Sequence, residues 1–274
     1  AVLRIGGQEF SNIKLRCAQL RMTQQRIECA SGELTLPNTP PAAARFTYFQ
    51  QSKNFELVLE PAKDERWRLR SSLRQGQREV ELQLENSQLA RLNQWLPALA
   101  AHKLAAGANG KLTYATGNAG ERLQTQIELA ELSLSNSTGT IAAEKVAATL
   151  MLDAEQSQGL WSWRGQLDWR EGEGYLQPLY IAKGGIRLAA QGVLDSRSVR
   201  IGQAKLAVAA VGEAEFSAEW DRVASAFQRL DIATSKIDLA KGGPLLIAPY
   251  LEQAGLPKFA FGGWAKIGAT LVQD

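Results

Sequence analysis

The chain has 274 residues, 45% of them apolar, and a formal net charge of +3. That length supplies a sizeable core and one or two domains, and that composition excludes a disordered chain. So small a charge excess, spread along the sequence, gives no electrostatic footprint for nucleic acid.

Ala1 to Ile5 reads as a strand, and the chain closes in another, Trp264 to Leu271, so an excised fragment or processed form is expected. No apolar run is long enough to cross a bilayer as a helix. Next come the two cysteines. Ile13, Leu15 and Cys17 share one parity, as do Ile27 and Cys29. A turn near Thr23 then sets both sulfurs on one face of a hairpin. A disulfide is expected, which implies an oxidising compartment; the alternative is two buried thiols acting as small hydrophobes. Two thiols do not complete a four-ligand zinc site.

Alternation with period two continues through Phe55, Leu57, Leu59 and through Val80, Leu82, Leu84. Between these runs, Arg66, Arg68, Arg70 and Arg74 resemble a basic cluster but alternate with Trp67, Leu69 and Leu73, so they read as one solvated strand face. From Ser87 to Ala101 the period changes: Leu89, Leu92, Trp95, Leu96 and Leu99 recur at helical spacing. Asn109-Gly110 and Gly117-Asn118-Ala119-Gly120 read as turns. Ile127 and Leu129 resume the strand pattern, which is clearest in Trp161-Ser162-Trp163-Arg164-Gly165-Gln166-Leu167-Asp168-Trp169-Arg170. There every odd position is apolar or Gly and every even one polar, the mark of a half-buried strand. Gly172-Glu173-Gly174 and Gly184-Gly185 are further turn signals. Ile186, Leu188, Ala190 and Phe216, Ala218, Trp220 alternate again. Pro244 to Gly255 is helically spaced through Leu245, Leu246, Tyr250 and Leu251. The expected fold is mainly β: a long antiparallel meander with two short helices. No helix-length segments separate the strands, which excludes a parallel βαβ plan.

The two helical segments belong to an internal repeat. A shift of 155 residues places Leu84 on Leu239, Leu96 on Leu251, Lys103 on Lys258, Gly107 on Gly262 and Lys111 on Lys266. Trp95 falls on Tyr250. The chain divides into two expected modules, 1–117 and 118–274, within one continuous sheet.

Catalytic constellations are missing. A single histidine, His102, removes His-based triads and most metal sites, and it reads as a surface residue. Lys183-Gly184-Gly185 and Lys241-Gly242-Gly243-Pro244 lack the Gly-Lys-Ser/Thr ending of a phosphate loop, and read as a hairpin turn and a helix entry. Carboxylates such as Glu79, Glu81, Glu128 and Asp168 sit on the polar parity of strands. No enzyme, metal or cofactor is expected.

What remains is surface shape. Trp161, Trp163 and Trp169 share one face of one strand. Each tryptophan buries roughly 150–250 Å². At about 25 cal/mol per Å², leaving three exposed forfeits on the order of 10 kcal/mol. A second sheet would cover them in a sandwich. Alternatively the sheet curls into a trough filled by short helices and an apolar ligand.

Three features make the chain resemble the AsmA-like, TamB-type superfamily of Gram-negative envelope proteins. One is the succession of alternating strands. Another is the unit Leu84-Glu85-Asn86-Ser87, Leu92-Asn93-Gln94-Trp95-Leu96-Pro97 and Gly107-Ala108-Asn109-Gly110-Lys111-Leu112. The third is its second copy, Ile237-Asp238-Leu239, Ala248-Pro249-Tyr250-Leu251 and Phe261-Gly262-Gly263-Trp264. The resemblance implies a periplasmic β-groove, held at the inner membrane by its parent protein, that moves phospholipids between inner and outer membranes. The expected acyl-chain lining is Trp161, Trp163, Leu167, Trp169, Leu129, Leu188 and Phe216. Two other classes stay open: an envelope assembly scaffold that binds client strands, and a carbohydrate-binding β-sandwich with exposed Trp platforms.

Overall fold

Period-two alternation with short turns leaves each strand one partner on either side, and the chain takes that solution throughout. The computed structural model describes residues 3–5, 8–10, 14–35, 40–74, 76–94, 100–118, 120–177, 179–181 and 183–273. A two-stranded ladder comes first, β1 (Leu3–Ile5) with β2 (Gln8–Phe10). The main sheet then runs through β3 (Lys14–Cys17), β4 (Leu20–Met22), β5 (Arg26–Thr35), β6 (Ala42–Phe49), β7 (Asn54–Ala62), β8 (Glu65–Arg74) and β9 (Gln77–Gln88). It continues with β10 (Ala105–Gly117), β11 (Gly120–Ser135), β12 (Ile141–Ser157), β13 (Leu160–Leu176), β14 (Leu179–Ile181) and β15 (Ile186–Leu194). It ends with β16 (Ser198–Val208), β17 (Gly212–Asp221), β18 (Ala226–Thr234) and β21 (Gly268–Val272). The short ladder of β19 (Ile237–Asp238) and β20 (Trp264–Ala265) stands apart.

Every pairing is antiparallel and joins near neighbours in sequence, so this is one long meander. β3 and β4 both pair with β5, and β14 and β15 both pair with the long β13. No ladder joins β21 to β3 among the described residues, so the sheet is open, with β3/β4 at one edge and β21 at the other. The chain exposes 17512 Å². A compact monomer of this mass would expose only about 11,700 Å². The surplus is that of a broad sheet without a second sheet over its face.

The helical segments differ from expectation. Ser87 is still in β9, opposite Ala108, and the first helix is a 3-10 helix, Leu89–Gln94. Trp95, Leu96 and Leu99 lie outside the described residues, as does the side chain of Tyr250. The second begins at Leu239, earlier than Pro244. Asp238 accepts from the amides of Ala240 and Lys241, capping α1 (Leu239–Leu246). Ile247 separates it from α2 (Ala248–Gln253). Gly242 and Gly243 are therefore inside a helix and not at its entry. A side chain at Gly243 would collide with the Phe261 ring, so the glycine lets that ring pack close. Both copies show strand, short helix and strand in that order, but the helices do not start at matching positions. Leu84 continues the β9 ladder, whereas the Asp238 cap turns Leu239 into a helix start.

Two expected turns lie inside strands. Asn109-Gly110 is a β-bulge in β10: Asn109 Oδ1 accepts from Asn86 N (2.7 Å), and Gly110 lets the backbone of Gln126 and Ile127 approach. Gly172 is a bulge position in β13 with φ +92°, and a Cβ there would strike the Lys145 backbone. Glu131 in β11 and Lys145 in β12 also have positive φ, so irregularities line up across three neighbouring strands. The Gly117 and Gly184-Gly185 signals do mark connections.

Cys17 and Cys29 form a disulfide, Cα–Cα 5.9 Å. The turn between them is held by Thr23, whose Oγ1 accepts from Arg26 N (3.1 Å). At the far edge Asp231 pins β21: its carboxylate accepts from Arg229 Nε (2.6 Å) and Thr270 Oγ1 (2.8 Å).

Reducing the disulfide, which spans 12 residues, should lower unfolding free energy by about 3 kcal/mol on the loop-entropy estimate. Urea titrations with and without reductant measure it, and superimposable curves would contradict it. A second prediction follows from Asp231. The Arg229 guanidinium first, then Thr270, hold its carboxyl below the ordinary value of 3.8. Such a group contributes stability that is present above its unfolded pKa and lost as pH falls through the folded one. Amides of β21 should therefore lose protection relative to those of β12 as pH falls below 3.8. A ratio independent of pH would refute the clamp.

Candidate functional site: one apolar face of the sheet

In an antiparallel ladder, residues directly opposite one another share a face. Following the register across the sheet therefore traces rows of side chains perpendicular to the strands. One row reads Leu20, Cys29, Phe46, Leu57, Leu69, Leu82, Leu112, Thr125, Leu152, Gly165, Ala190, Ala204, Phe216, Ile232, Ala269. Only Thr125 in it carries a hydroxyl, amide or charged side chain, since Cys29 is held in the disulfide. The next runs from Met22 and Ile27 through Tyr48, Phe55, Ser71, Val80, Tyr114, Leu123, Ala154, Trp163, Gly192, Ile201, Ala218 and Leu230 to Leu271. On the other side of the same strands a row reads Arg21, Glu28, Thr47, Glu56, Arg70, Glu81, Thr113, Gln124, Asp153, Arg164, Gln191, Gln203. The two faces differ at every strand.

All seven expected lining residues stand on the apolar face. Leu167 and Leu188 are adjacent, flanked by Leu150 and Leu206. Leu129 and Trp169 share a row with Ala148 and Ile186. Trp163 lies between Ala154 and Gly192, and Phe216 between Ala204 and Ile232. Trp161 leads a short aromatic end row through Leu194 and Val199 to Trp220, whose ring meets Phe227 edge-on at 4.7 Å.

Burial on this face divides by size. Ala44, Ala108, Ala148, Ala204 and Ala218 are buried beneath taller neighbours. The seven large residues are only half-buried. Among the described residues, the largest side chains buried to under 2% exposure are Cys29 and Ser87. A closed sandwich of this many strands would bury leucines and aromatics instead. The 3-10 helix adjoins β10, and α1 adjoins β14 and β19. Both sit at the same margin of the sheet, where β10, β15 and β17 begin, and leave the middle rows uncovered.

Among the described residues, one fully buried charged group breaks the apolar parity. Glu65 shares the phase of Trp67 and Leu69 yet is 3% exposed. Its carboxylate accepts from Trp67 Nε1 (3.1 Å), Gln88 N (3.0 Å) and Arg91 Nε (2.9 Å). These bonds satisfy the buried charge and fasten the 3-10 helix to the sheet margin. An acidic residue in the apolar phase was the sequence signal for this anchor.

The arginines of β8 lie on the wet face. Arg66 bridges Glu60 (3.3 Å) and Glu85 (3.5 Å), and Arg70 reaches Glu56 (3.2 Å). Exposed pairs of this kind contribute roughly 0–1 kcal/mol each; the side chain of Arg74 is outside the described residues. Further along, the polar face holds a cleft of about 700 Å³ lined by Arg122, Gln124, Asp153, Glu155, Ser162 and Arg164 among others. It lies between long side chains on neighbouring strands. His102 is exposed in a turn. No group of three or more His, Cys, Asp or Glu converges as metal ligands among the described residues. No helix among them is long and apolar enough to cross a membrane.

Comparison of the chain with family models, with curated proteins and with solved structures finds no match. The geometry alone describes the site: a wide apolar lane, open to solvent, backed by a charged face.

The lane depends on glycines under its indoles. The Trp169 ring lies over Gly174, and its Nε1 donates to Glu171 O (2.7 Å). A methyl at Gly174 would displace the ring and break that bond, so Gly174→Ala should destabilise by about 1–3 kcal/mol. Gly107→Ala, where the nearest atom would be 3.6 Å away, should be neutral or mildly stabilising. Thermal melts of both variants test the pair, and equal melting temperatures would refute the packing.

Proposed function

We propose that this chain is part of a periplasmic β-groove of the AsmA-like, TamB-type kind. In this role it binds phospholipid acyl chains on its apolar face and helps pass them between inner and outer membranes. Its parent protein is anchored at the inner membrane, and no chemistry on the lipid is involved.

The main support is the pair of apolar rows that run edge to edge with their large side chains half-exposed. At about 4.8 Å per strand, a row crossing fifteen strands extends roughly 70 Å. Acyl chains lying along it, perpendicular to the strands, would cover the Leu150–Leu167–Leu188–Leu206 patch and its tryptophan neighbours. Head groups would stay in water, so lipid selectivity would be weak. Curvature into a trough is part of the proposal. The aligned positive-φ positions at Glu131, Lys145 and Gly172 support it, because bulges bend strands and increase their twist. One continuous sheet also favours a groove over a carbohydrate-binding sandwich.

A charge on an open lane leaves the fold intact, whereas an unpaired charge in a closed core costs several kcal/mol. Trp163→Glu should therefore melt within a few degrees of the parent. A photo-crosslinking side chain at Leu167 should capture phospholipid in cells, and Trp163→Glu should reduce that capture severalfold. A probe at Leu167 that captures no lipid, together with a collapsed Trp163→Glu variant, would sink the proposal.

A further inference from the structure

One more row lies on the apolar face, at the margin where the tight hairpins turn. It reads Leu73, Arg78, Thr116, Glu121, Gln156 and then Trp161. Its first half is polar although its phase is apolar. Arg78 and Glu121 stand on either side of Thr116, so their backbones are two strand spacings apart, about 10 Å. Both are half-buried. On the wet face Arg66 and Arg70 find carboxylates. Arg78 forms no ion pair among the described residues; its Nη1 donates to Ser71 Oγ (2.9 Å), and the rest of the guanidinium fork is open. Glu121 accepts from the Tyr114 hydroxyl, and that bond, ahead of burial, holds the phenol above its ordinary value of 10.0. The four strands that carry these residues, β8 to β11, are each paired on both sides, so the row is complete within this chain.

We propose that this margin is a head-group site for a zwitterionic phospholipid: Arg78 and the Ser71 hydroxyl hold the phosphate, and Glu121 holds the ammonium of an ethanolamine arm. The acyl chains then enter the lane over Val80, Leu82 and Leu112, a step that rests on the lane being an acyl path. Two opposite charges that share an apolar face without pairing to each other are complementary to a ligand that carries both signs close together on an apolar body. A guanidinium fork matches phosphate oxygens. A carboxylate turned by one hydroxyl keeps lone pairs for N–H donors. Thr116 between them adds no charge. The apolar rows do not distinguish one head group from another, whereas this pair does. A head group with phosphate and glycerol satisfies Arg78 and gives Glu121 no counter-charge.

Isothermal titration of the chain with dihexanoyl-phosphatidylethanolamine and dihexanoyl-phosphatidylglycerol tests the site. The ethanolamine lipid should bind about threefold tighter, the worth of one partly exposed ion pair. Arg78→Gln should weaken both lipids about tenfold, and Arg78→Lys should recover most of that loss. Glu121→Gln should abolish the preference and leave phosphatidylglycerol binding in place. Melting temperatures of the three variants should match the parent. Free O-phosphoethanolamine should bind through the same two residues but more weakly, because it lacks acyl chains. Equal affinity of the parent for the two lipids would overturn the site, as would a preference that survives Glu121→Gln. Lipid binding indifferent to both positions would also overturn it and leave the lane standing. O-phosphoethanolamine held by Arg78 and Glu121 as tightly as the lipids would uphold the site and overturn the lane. Binding of none of the three ligands would overturn both.

Discussion

Cross-strand register carries everything else in this protein. Side chains alternate with period two along each strand, and antiparallel ladders lock each strand to the next. A slip of one residue anywhere would move all later apolar positions to the wet face. The rows from Leu20 to Ala269 and from Met22 to Leu271 require that no slip occurs between β4 and β21. Where the ladders shift, at Asn109, Glu131 and Gly172, later pairings keep apolar opposite apolar. The bulges absorb the extra residues.

Register of this kind produces an amphipathic sheet and not, by itself, a core. Core formation needs a second layer. Here the fully buried positions are mostly alanines shadowed by neighbours on the same sheet, while leucines and tryptophans remain half-exposed. The main-chain ladders, the same-face contacts within rows, the disulfide at one end and the Asp231 clamp at the other hold the sheet together. The uncovered face leaves hydrophobic free energy unspent, and an apolar ligand lying along it would recover part of that.

The polar parity has its own organisation. Ion pairs and mixed hydrogen bonds join Glu56, Glu60, Arg66, Arg70 and Glu85 across β7, β8 and β9. Individually weak, they keep that face solvated and set its sign pattern without fixing the fold. Glu65 differs because it is buried on the apolar side, where an unpaired carboxylate is not tolerated. Its three donors come from β8, β9 and the 3-10 helix, and through them the helix end is tied to the sheet.

Much of this was legible in the residues. The odd-position run Trp161, Trp163, Leu167, Trp169 announced a two-faced strand, and the short turn signals announced a meander, because both depend only on local periodicity. The parity of Cys17 and Cys29 was equally local. Local signals failed where two strands or a strand and a helix compete for the same segment. Asn109-Gly110 is a strong turn dipeptide, yet it sits in β10 because the ladders to β9 and β11 outweigh it. Leu84 and Leu239 head matching sequences, yet one stays in a strand and the other starts a helix, since only Asp238 caps. Periodicity thus determined which residues share a face. Whether anything covers that face was decided only by tertiary structure, because coverage depends on how far the sheet extends and on where its helices come to rest.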